Sequence, residues 1–515
     1  MAEVYLYENR KNSAPELNVW CAYPAVYNFG MSALGFLKVF QMIDETEGVL
    51  SERIFTDSKT SYIQYKNIDL IAFSVSFEFD YTGVLKILEK YKIPFLSKDR
   101  DETHPLILGG GPVLSANPEP FSAFYDFIIT GDAEPHLKEV LEFLKRNKNL
   151  PKKEKLKRLK DIESIYVPAL KSEKIKKAVS VLDDCTSTPI LTENSFFPDT
   201  YIIEIERGCP MQCRFCLTSK INHPVRFAPY EKIIEKIDEG LKYTNKLALL
   251  GAMICAHPKI DDICRYITAK AKEGRNIEVS VSSLRADAVS DAMLEMLKLC
   301  GQKNVTIAVE AGSERLRNLI NKRLKKEDVL SLADKLVKFG FSGLKIYGMT
   351  GLPSETYEDL DEFISLLKEI KKKGLNVIPS FSSFVPKAHT PFQYASREDT
   401  KSLEKKCGYL KKNLAKIGIK ARFSSPKWDY IQSLLSRGAG ALTPYLIDVY
   451  KAGADLGAYK RIYKEYEKQG LLPPSDSIAL NEQPLDAAFP WDFIEYSFER
   501  RILEEEYKRA FMPAF

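Results

Sequence analysis

Hydrophobic positions over the first 150 residues fall into short apolar runs separated by amphipathic stretches. The runs at 17–22, 68–75, 106–108 and 127–129 predict buried parallel strands, with helices over 81–91 and 135–144 between them. This alternation predicts a doubly wound α/β sheet. From residue 200 the alternation becomes regular, with strands expected at 201–206, 247–251, 277–283, 304–309, 343–349 and 376–384. Between them Ile233, Ile234, Ile237 and Leu241 share one helical face, as do Leu360, Phe363, Ile364, Leu367 and Ile370. Six βα units predict a partial barrel, a fold whose reactive site lies at the C-terminal ends of the strands. The remainder is helical in pattern, with Pro473, Pro474 and Pro484 marking an irregular stretch before a last amphipathic helix over 491–509. The expected division is a doubly wound domain over 1–150, a linker over 151–199, a barrel over 200–396 and a helical region over 397–515.

Composition narrows the class. With 45% hydrophobic and 28% charged residues, the chain has ordinary globular usage, which excludes wholesale disorder and a collagen-like chain. Lys and Arg number 75 against 70 Asp and Glu, a net +5 too small to argue for nucleic acid. Residues 151–177 carry ten Lys or Arg against four Asp or Glu, a local +6 that reads as a solvated connector. The longest nearly unbroken apolar run, 247–256, is about half what a spanning helix needs. No transmembrane segment is expected, and the opening MAEVYLYENRK lacks the pattern of a secretory signal, so a cytoplasmic location is expected.

Nine cysteines are too sparse for a disulfide framework. Cys21, Cys185, Cys255, Cys264, Cys300 and Cys407 are scattered, whereas Cys209, Cys213 and Cys216 lie in one loop directly after the first barrel strand. Three close thiolates can hold an iron–sulfur cluster with one iron left open, since an electron-carrying four-iron cluster usually takes four cysteines. The alternative is structural zinc completed by His223, in a non-catalytic binding or scaffold protein.

The motif RGCPMQCRFC, with Phe215 before the last cysteine, resembles the radical S-adenosylmethionine (SAM) signature. The resemblance implies a [4Fe–4S] cluster on Cys209, Cys213 and Cys216 that chelates SAM and releases a 5'-deoxyadenosyl radical able to abstract hydrogen from an unactivated carbon. It also implies site residues at the strand ends. Gly251 stands where the family has a Gly-Gly-Glu-like segment holding the methionyl amine; the Glu is missing, so backbone carbonyls would serve. Ser282 and Arg285 would meet ribose and carboxylate. Glu310 and Ser313 follow the fourth strand, with Arg317 placed to meet a carboxylate. Met349, in MTGLPSET, resembles the adenine-contacting loop. The implied electron donor is a flavodoxin or ferredoxin.

In the first segment, a dinucleotide fingerprint fails at Pro112 and Leu114. The loops carrying Ser74 and Ser76, and Gly109 and Gly110, resemble instead the cobalamin-binding domain of one large radical SAM subgroup, here without its axial-histidine motif. That implies a Rossmann-like domain holding cobalamin without a protein ligand, or a vestigial domain that binds nothing. Across most of its length the chain resembles one cobalamin-type subfamily. Methylthiotransferases match poorly, because only Cys21 and Cys185 lie upstream to supply a second cluster. The expected activity is methylation or carbon–carbon bond formation on a small-molecule or lipid substrate; a vestigial first domain would leave a soluble metabolite as the alternative. Trp428, Tyr430, Tyr445, Tyr450, Tyr459, Tyr463 and Trp491 would line an apolar pocket above the barrel mouth or fill a core.

Overall fold

The computed structural model describes residues 3–8, 14–170 and 174–512; parts of the opening segment and of the basic 151–177 stretch lie outside these. The first sheet has six strands in the spatial order Val49–Phe55, Leu17–Tyr23, Leu70–Ser74, Leu106–Gly110, Phe127–Ile129 and Ile165–Tyr166. All neighbours are parallel except the last pair. The order reverses between Leu17–Tyr23 and Leu70–Ser74, which makes their carboxyl ends the topological switch point.

Period-2 alternation explains how this sheet is covered on both faces. Val19, Cys21, Ala72 and Leu108 point to one side, against helices Leu34–Asp44 and Leu137–Arg146. Trp20, Ala22, Ile71 and Ile107 point to the other, where helix Tyr81–Lys90 is joined by helices Pro426–Arg437, Leu442–Lys451 and Leu456–Lys468. The C-terminal region therefore completes the core of the first sheet. Tyr445, Tyr459 and Tyr463 are fillers there, and the hydroxyls of Tyr81 and Tyr459 meet at 2.7 Å. Of the two alternatives that the sequence left for these three aromatics, they take the core-filling one.

Two boundaries also change. Strand Ile165–Tyr166 and helix Lys152–Leu159 belong to the first domain, so the stretch from 151 is not wholly a linker. The last helix is Arg500–Ala510; Trp491 precedes it, and Ile494–Glu495 forms a short strand beside Ile175–Lys176.

The barrel strands are Thr200–Glu204, Lys246–Leu250, Glu278–Val281, Asn304–Glu310, Gly343–Thr350 and Asn376–Ser383, with Arg422–Phe423 a short parallel addition at the far edge. A parallel bridge between Leu284 and Ile307 joins the first three strands to the rest. Apolar residues of the crossover helices, among them Ile233, Ile237, Leu360 and Phe363, pack on the outer strand faces in one continuous core. Among the described residues, no helix is long and apolar enough to cross a membrane.

Candidate active site

The loop after the first barrel strand is closed at its base, where Glu206 and Arg207 pair antiparallel with Phe227 and Arg226. Gly208 sits at φ +96°, and a Cβ there would lie 2.7 Å from the Asn222 carbonyl oxygen, so only glycine closes this neck. Gln212, at φ +52°, turns the chain between the first two cysteines. The loop is pinned to the segment after the fourth strand. The Arg214 amide donates to Ile320 O at 3.0 Å, its guanidinium to Leu319 O at 2.7 Å, and Asn321 Nδ2 to Gln212 O at 3.0 Å.

Cys213 is buried and Cys209 and Cys216 are half-buried. Burial pushes the Cys209 thiol up; Cys216 and Glu206 push it further, while Lys322 opposes them. Burial pushes Cys213 up to about 12, again against Lys322, with Cys216, Glu310 and Cys209 also within its field. The three thiols thus face one space. Yet among the described residues no three His, Cys, Asp or Glu side chains stand close enough to hold a single metal ion. A tetrahedral zinc site needs all its ligands about 2–2.3 Å from one ion; a four-iron cluster takes each thiolate on a different iron and does not need the three sulfurs gathered round one ion. His223 is turned away: its Nδ1 pairs with Ser497 Oγ at 2.8 Å, and its ring lies edge-on to Phe498. The donor set fits the cluster and not the Cys₃His zinc site. Three thiolates in one loop, one buried and two half-buried, also need a cationic centre to offset their desolvation.

The strand ends surround this space. Glu310 stands at φ +69°, at a bulge where the fourth strand slips register against the fifth, and its carboxylate faces Lys322 Nζ at 3.7 Å. Burial raises its pKa although Lys322 opposes this. Phe215 and Met349 are brought together in one apolar cluster with Ala311 and Phe384. Ser282 Oγ donates to Gly251 O at 2.8 Å.

Three expected ligand residues are committed elsewhere. Arg317 is 1% exposed and donates to Leu324 O at 2.6 Å, Gly312 O at 2.5 Å and Ala311 O at 3.1 Å; it clamps its own loop instead of meeting a carboxylate. Ser313 caps the following helix through Leu316 N and donates to Asp359. Arg285 pairs with Asp287 at 2.7 Å.

Two site residues had no sequence signal of their own. Lys322 is one. The other is Glu206, whose Oε1 is buried with no hydrogen-bond partner while Oε2 accepts from Met253 N at 3.2 Å. Burial pushes its carboxyl up to about 7. A Cβ on Gly251 would meet Glu206 Cβ at 2.9 Å, so the glycine makes room for this acid.

The first sheet opens at its switch point into a cavity of about 310 Å³. Cys21 and Ala72 line its floor, Gly110 and Ser74 its rim, and it reaches Arg207 and Leu250 at the ends of the first two barrel strands. Small side chains on the strands and Gly35 on the helix leave this space. A Cβ on Gly110 would meet nothing nearer than Ile129 O at 3.9 Å, so that backbone is open to a ligand. Ser74 and Ser76 both line the same space, and the Ser76 amide is held by Asp80 Oδ2 at 2.8 Å. Gly109 lines it too, although a Cβ there would be directed at Leu114 and Tyr125. This cradle of small residues and open backbone fits the tail of a cobalamin. Arg207 ties the two domains at this point, pairing with Glu134 at 2.9 Å and Glu204 at 2.7 Å, while Arg226 pairs with Asp132 at 2.5 Å.

The Radical SAM superfamily family matches residues 203–367, and a family of N-terminal regions of radical SAM proteins matches residues 35–168. The uncharacterized protein MJ0966 of Methanocaldococcus jannaschii is 30% identical over 434 residues, 83% of this chain and 90% of that protein. The ribosomal protein uS12 methylthiotransferase RimO of Pelotomaculum thermopropionicum is 24% identical over 204 residues, 36% of this chain and 45% of that enzyme. Among solved structures, the cobalamin-dependent S-adenosylmethionine radical enzyme OxsB with aqua-cobalamin and S-adenosylmethionine bound shares the fold at a TM-score of 0.51 and 14% identity, over 88% of this chain and 71% of that one.

Proposed function

The chain belongs to the radical SAM superfamily, and on that premise we propose that it is a cobalamin-using enzyme that methylates an unactivated carbon or joins it to another. When bound, the cluster and SAM supply the 5'-deoxyadenosyl radical, with one electron from a flavodoxin- or ferredoxin-type donor, and cobalamin supplies a methyl group or a redox partner. The observation that carries this reading is the continuity of the cavity between Gly110 on the first sheet and Arg207 and Leu250 at the barrel mouth.

The chain's own residues divide the work. Cys209, Cys213 and Cys216 hold the cluster, and Lys322 and Glu310 set the field beside Cys213. Phe215 and Met349 offer an apolar face for adenine. Glu206 supplies the acceptor that the segment around Gly251 lacks. Ser74 and Gly110 border the space for cobalamin. We assign cobalamin to the first sheet, which the C-terminal helices complete, and the cluster and SAM to the barrel.

Anaerobic reconstitution with iron and sulfide, followed by reduction with SAM, tests the reading. The expected result is a brown protein that forms 5'-deoxyadenosine and retains cobalamin on dialysis. Colourless protein with stoichiometric zinc overturns it, and cluster activity without retained cobalamin leaves the first domain vestigial.

A further inference from the structure

A second cavity, of about 750 Å³, lies where the basic connector, the segment after the sixth barrel strand and the C-terminal strap meet. Strand Ile175–Lys176 pairs with Ile494–Glu495, and the Lys177 amide donates to Glu495 O at 2.9 Å. This fixes Lys177 at the cavity wall. Its neighbours have acidic partners, Lys174 with Glu495 at 2.9 Å and Lys176 with Glu163 at 3.0 Å. Lys177 does not: it is 3% exposed, and among the described residues no carboxylate lies within ion-pairing distance. Its ammonium makes one long hydrogen bond, to Ala178 O at 3.3 Å, and stands 5.8 Å from the Tyr496 ring. An ammonium carries three donors, so two are unsatisfied in a buried position. Asp132, whose field reaches it, is already paired with Arg226 and Arg207. Burial lowers the Lys177 pKa to about 8, where it still carries its charge near neutrality.

The opposite wall offers an acceptor. His389 Nε2 lies 3.0 Å from Ala116 O, and a carbonyl can only accept, so Nε2 carries the hydrogen and Nδ1 the lone pair. Burial holds this imidazole neutral, its pKa lowered to about 3. Among the described residues Nδ1 has no partner. The residue sits at φ +57°, a sparsely populated conformation for histidine, and its amide is held by Gln393 Oε1, which also accepts from Trp491 Nε1 at 3.1 Å. Tyr496 packs beside the ring at a tilt of 38°, with centroids 4.1 Å apart, and its hydroxyl donates to Ser115 O at 2.6 Å. These groups are rigid before any ligand arrives.

We propose that this cavity binds a small carboxylate that carries a neighbouring N–H, its anion on Lys177 and the N–H on His389 Nδ1, beside the Tyr496 ring. Trp491, on the cavity wall, shares one apolar cluster with Ile221 and Leu217, just past the three cysteines. Calling it the substrate rests on the radical reading; the binding itself does not.

The test is calorimetric titration of the full chain, with and without reconstituted cluster, using indole-2-carboxylate, indole-2-carboxamide, benzofuran-2-carboxylate and inorganic phosphate. The carboxylate should bind about tenfold or more tighter than the carboxamide, the scale of a charge-assisted hydrogen bond. Lys177→Met should abolish that difference and Lys177→Arg restore most of it. Benzofuran-2-carboxylate, lacking the N–H, should bind more weakly than the indole. Equal binding of carboxylate and carboxamide overturns the proposal, as does phosphate binding as tightly as the indole. If Lys177→Met fails to fold, the wild-type carboxylate preference and the benzofuran comparison still decide. A 5'-deoxyadenosine assay on the same preparations separates the two readings: binding without SAM cleavage keeps this site and rejects the radical reading, and cleavage without binding does the reverse.

Discussion

Ser282 Oγ donates to the carbonyl oxygen of Gly251 at 2.8 Å. That bond engages the backbone acceptor which, with no glutamate in the segment, would otherwise receive a methionyl amine. The acceptor left at the same strand end is Glu206, with its buried and unpartnered Oε1.

Glu206→Gln should therefore weaken SAM binding to the reconstituted protein by about tenfold, the scale of a hydrogen bond to a charged group. Equilibrium dialysis with labelled SAM measures it. The same change should stabilise the cluster-free protein in alkaline buffer. A folded-state carboxyl raised from 4.5 to about 7 makes the native protein bind more protons than the unfolded chain, so native stability falls as pH rises through that window. Glutamine carries no charge to bury. The variant should melt higher than wild type at pH 8 and match it at pH 4; equal melting at both removes the desolvation argument.

Alanine at any one of Cys209, Cys213 or Cys216 should abolish both the cluster and SAM cleavage, because each thiolate serves a different iron. Cys264→Ala and Cys300→Ala should keep full iron, since both thiols are buried in the barrel core away from the loop. Iron and sulfide counts after gel filtration check this. A variant of the first set that still forms 5'-deoxyadenosine would reassign the ligands.

The three consecutive glycines at 109–111 should separate by role. Gly110→Leu should fold and lose cobalamin, because its Cβ points into open space. Gly111→Ala should destabilise the domain instead: the residue sits at φ +109°, with Val75 O 2.4 Å from any Cβ. Gly109 meets Leu114 and Tyr125 and should behave like Gly111. Cobalamin retained by folded Gly110→Leu would move its site elsewhere.

Legibility from sequence followed the range of the interaction. All six barrel strands were readable to within two residues at either end, because each carries buried apolar residues in a short run or at alternate positions between helical stretches. Strand Val49–Phe55 went unread, since Ser51 and Glu52 interrupt its pattern; both are buried because Ser51 bonds Asp44 and Glu52 accepts from the Tyr62 and Ile63 amides. The cysteines were legible as a local motif. Glu206 and Lys322 were not, because their roles arise from partners on other strand ends. Nor was the covering of the first sheet by helices more than 300 residues away, which no local period encodes.

Arg317 tests the distinction between a residue that holds a ligand and one that holds the fold. Its guanidinium binds three carbonyl oxygens of the loop after the fourth strand, so removing it leaves those buried acceptors without donors. Each such loss costs about 1–3 kcal/mol, and a fully buried charge-assisted set belongs at the upper end. Arg317→Met should therefore lower stability by about 3 kcal/mol or more, read from the urea midpoint of the cluster-free chain. The same loop carries Asn318, Leu319 and Ile320, whose carbonyls hold Arg214 beside the cysteines, so the folded fraction should also lose iron faster under chelator challenge. Its affinity for SAM, measured on freshly reconstituted folded protein, should stay within about twofold of wild type, because the three hydrogen bonds that Arg317 makes all go to backbone carbonyls of its own loop. The opposite pattern, unchanged stability with SAM affinity down by tenfold or more, would return Arg317 to the ligand-binding role that its sequence position suggested.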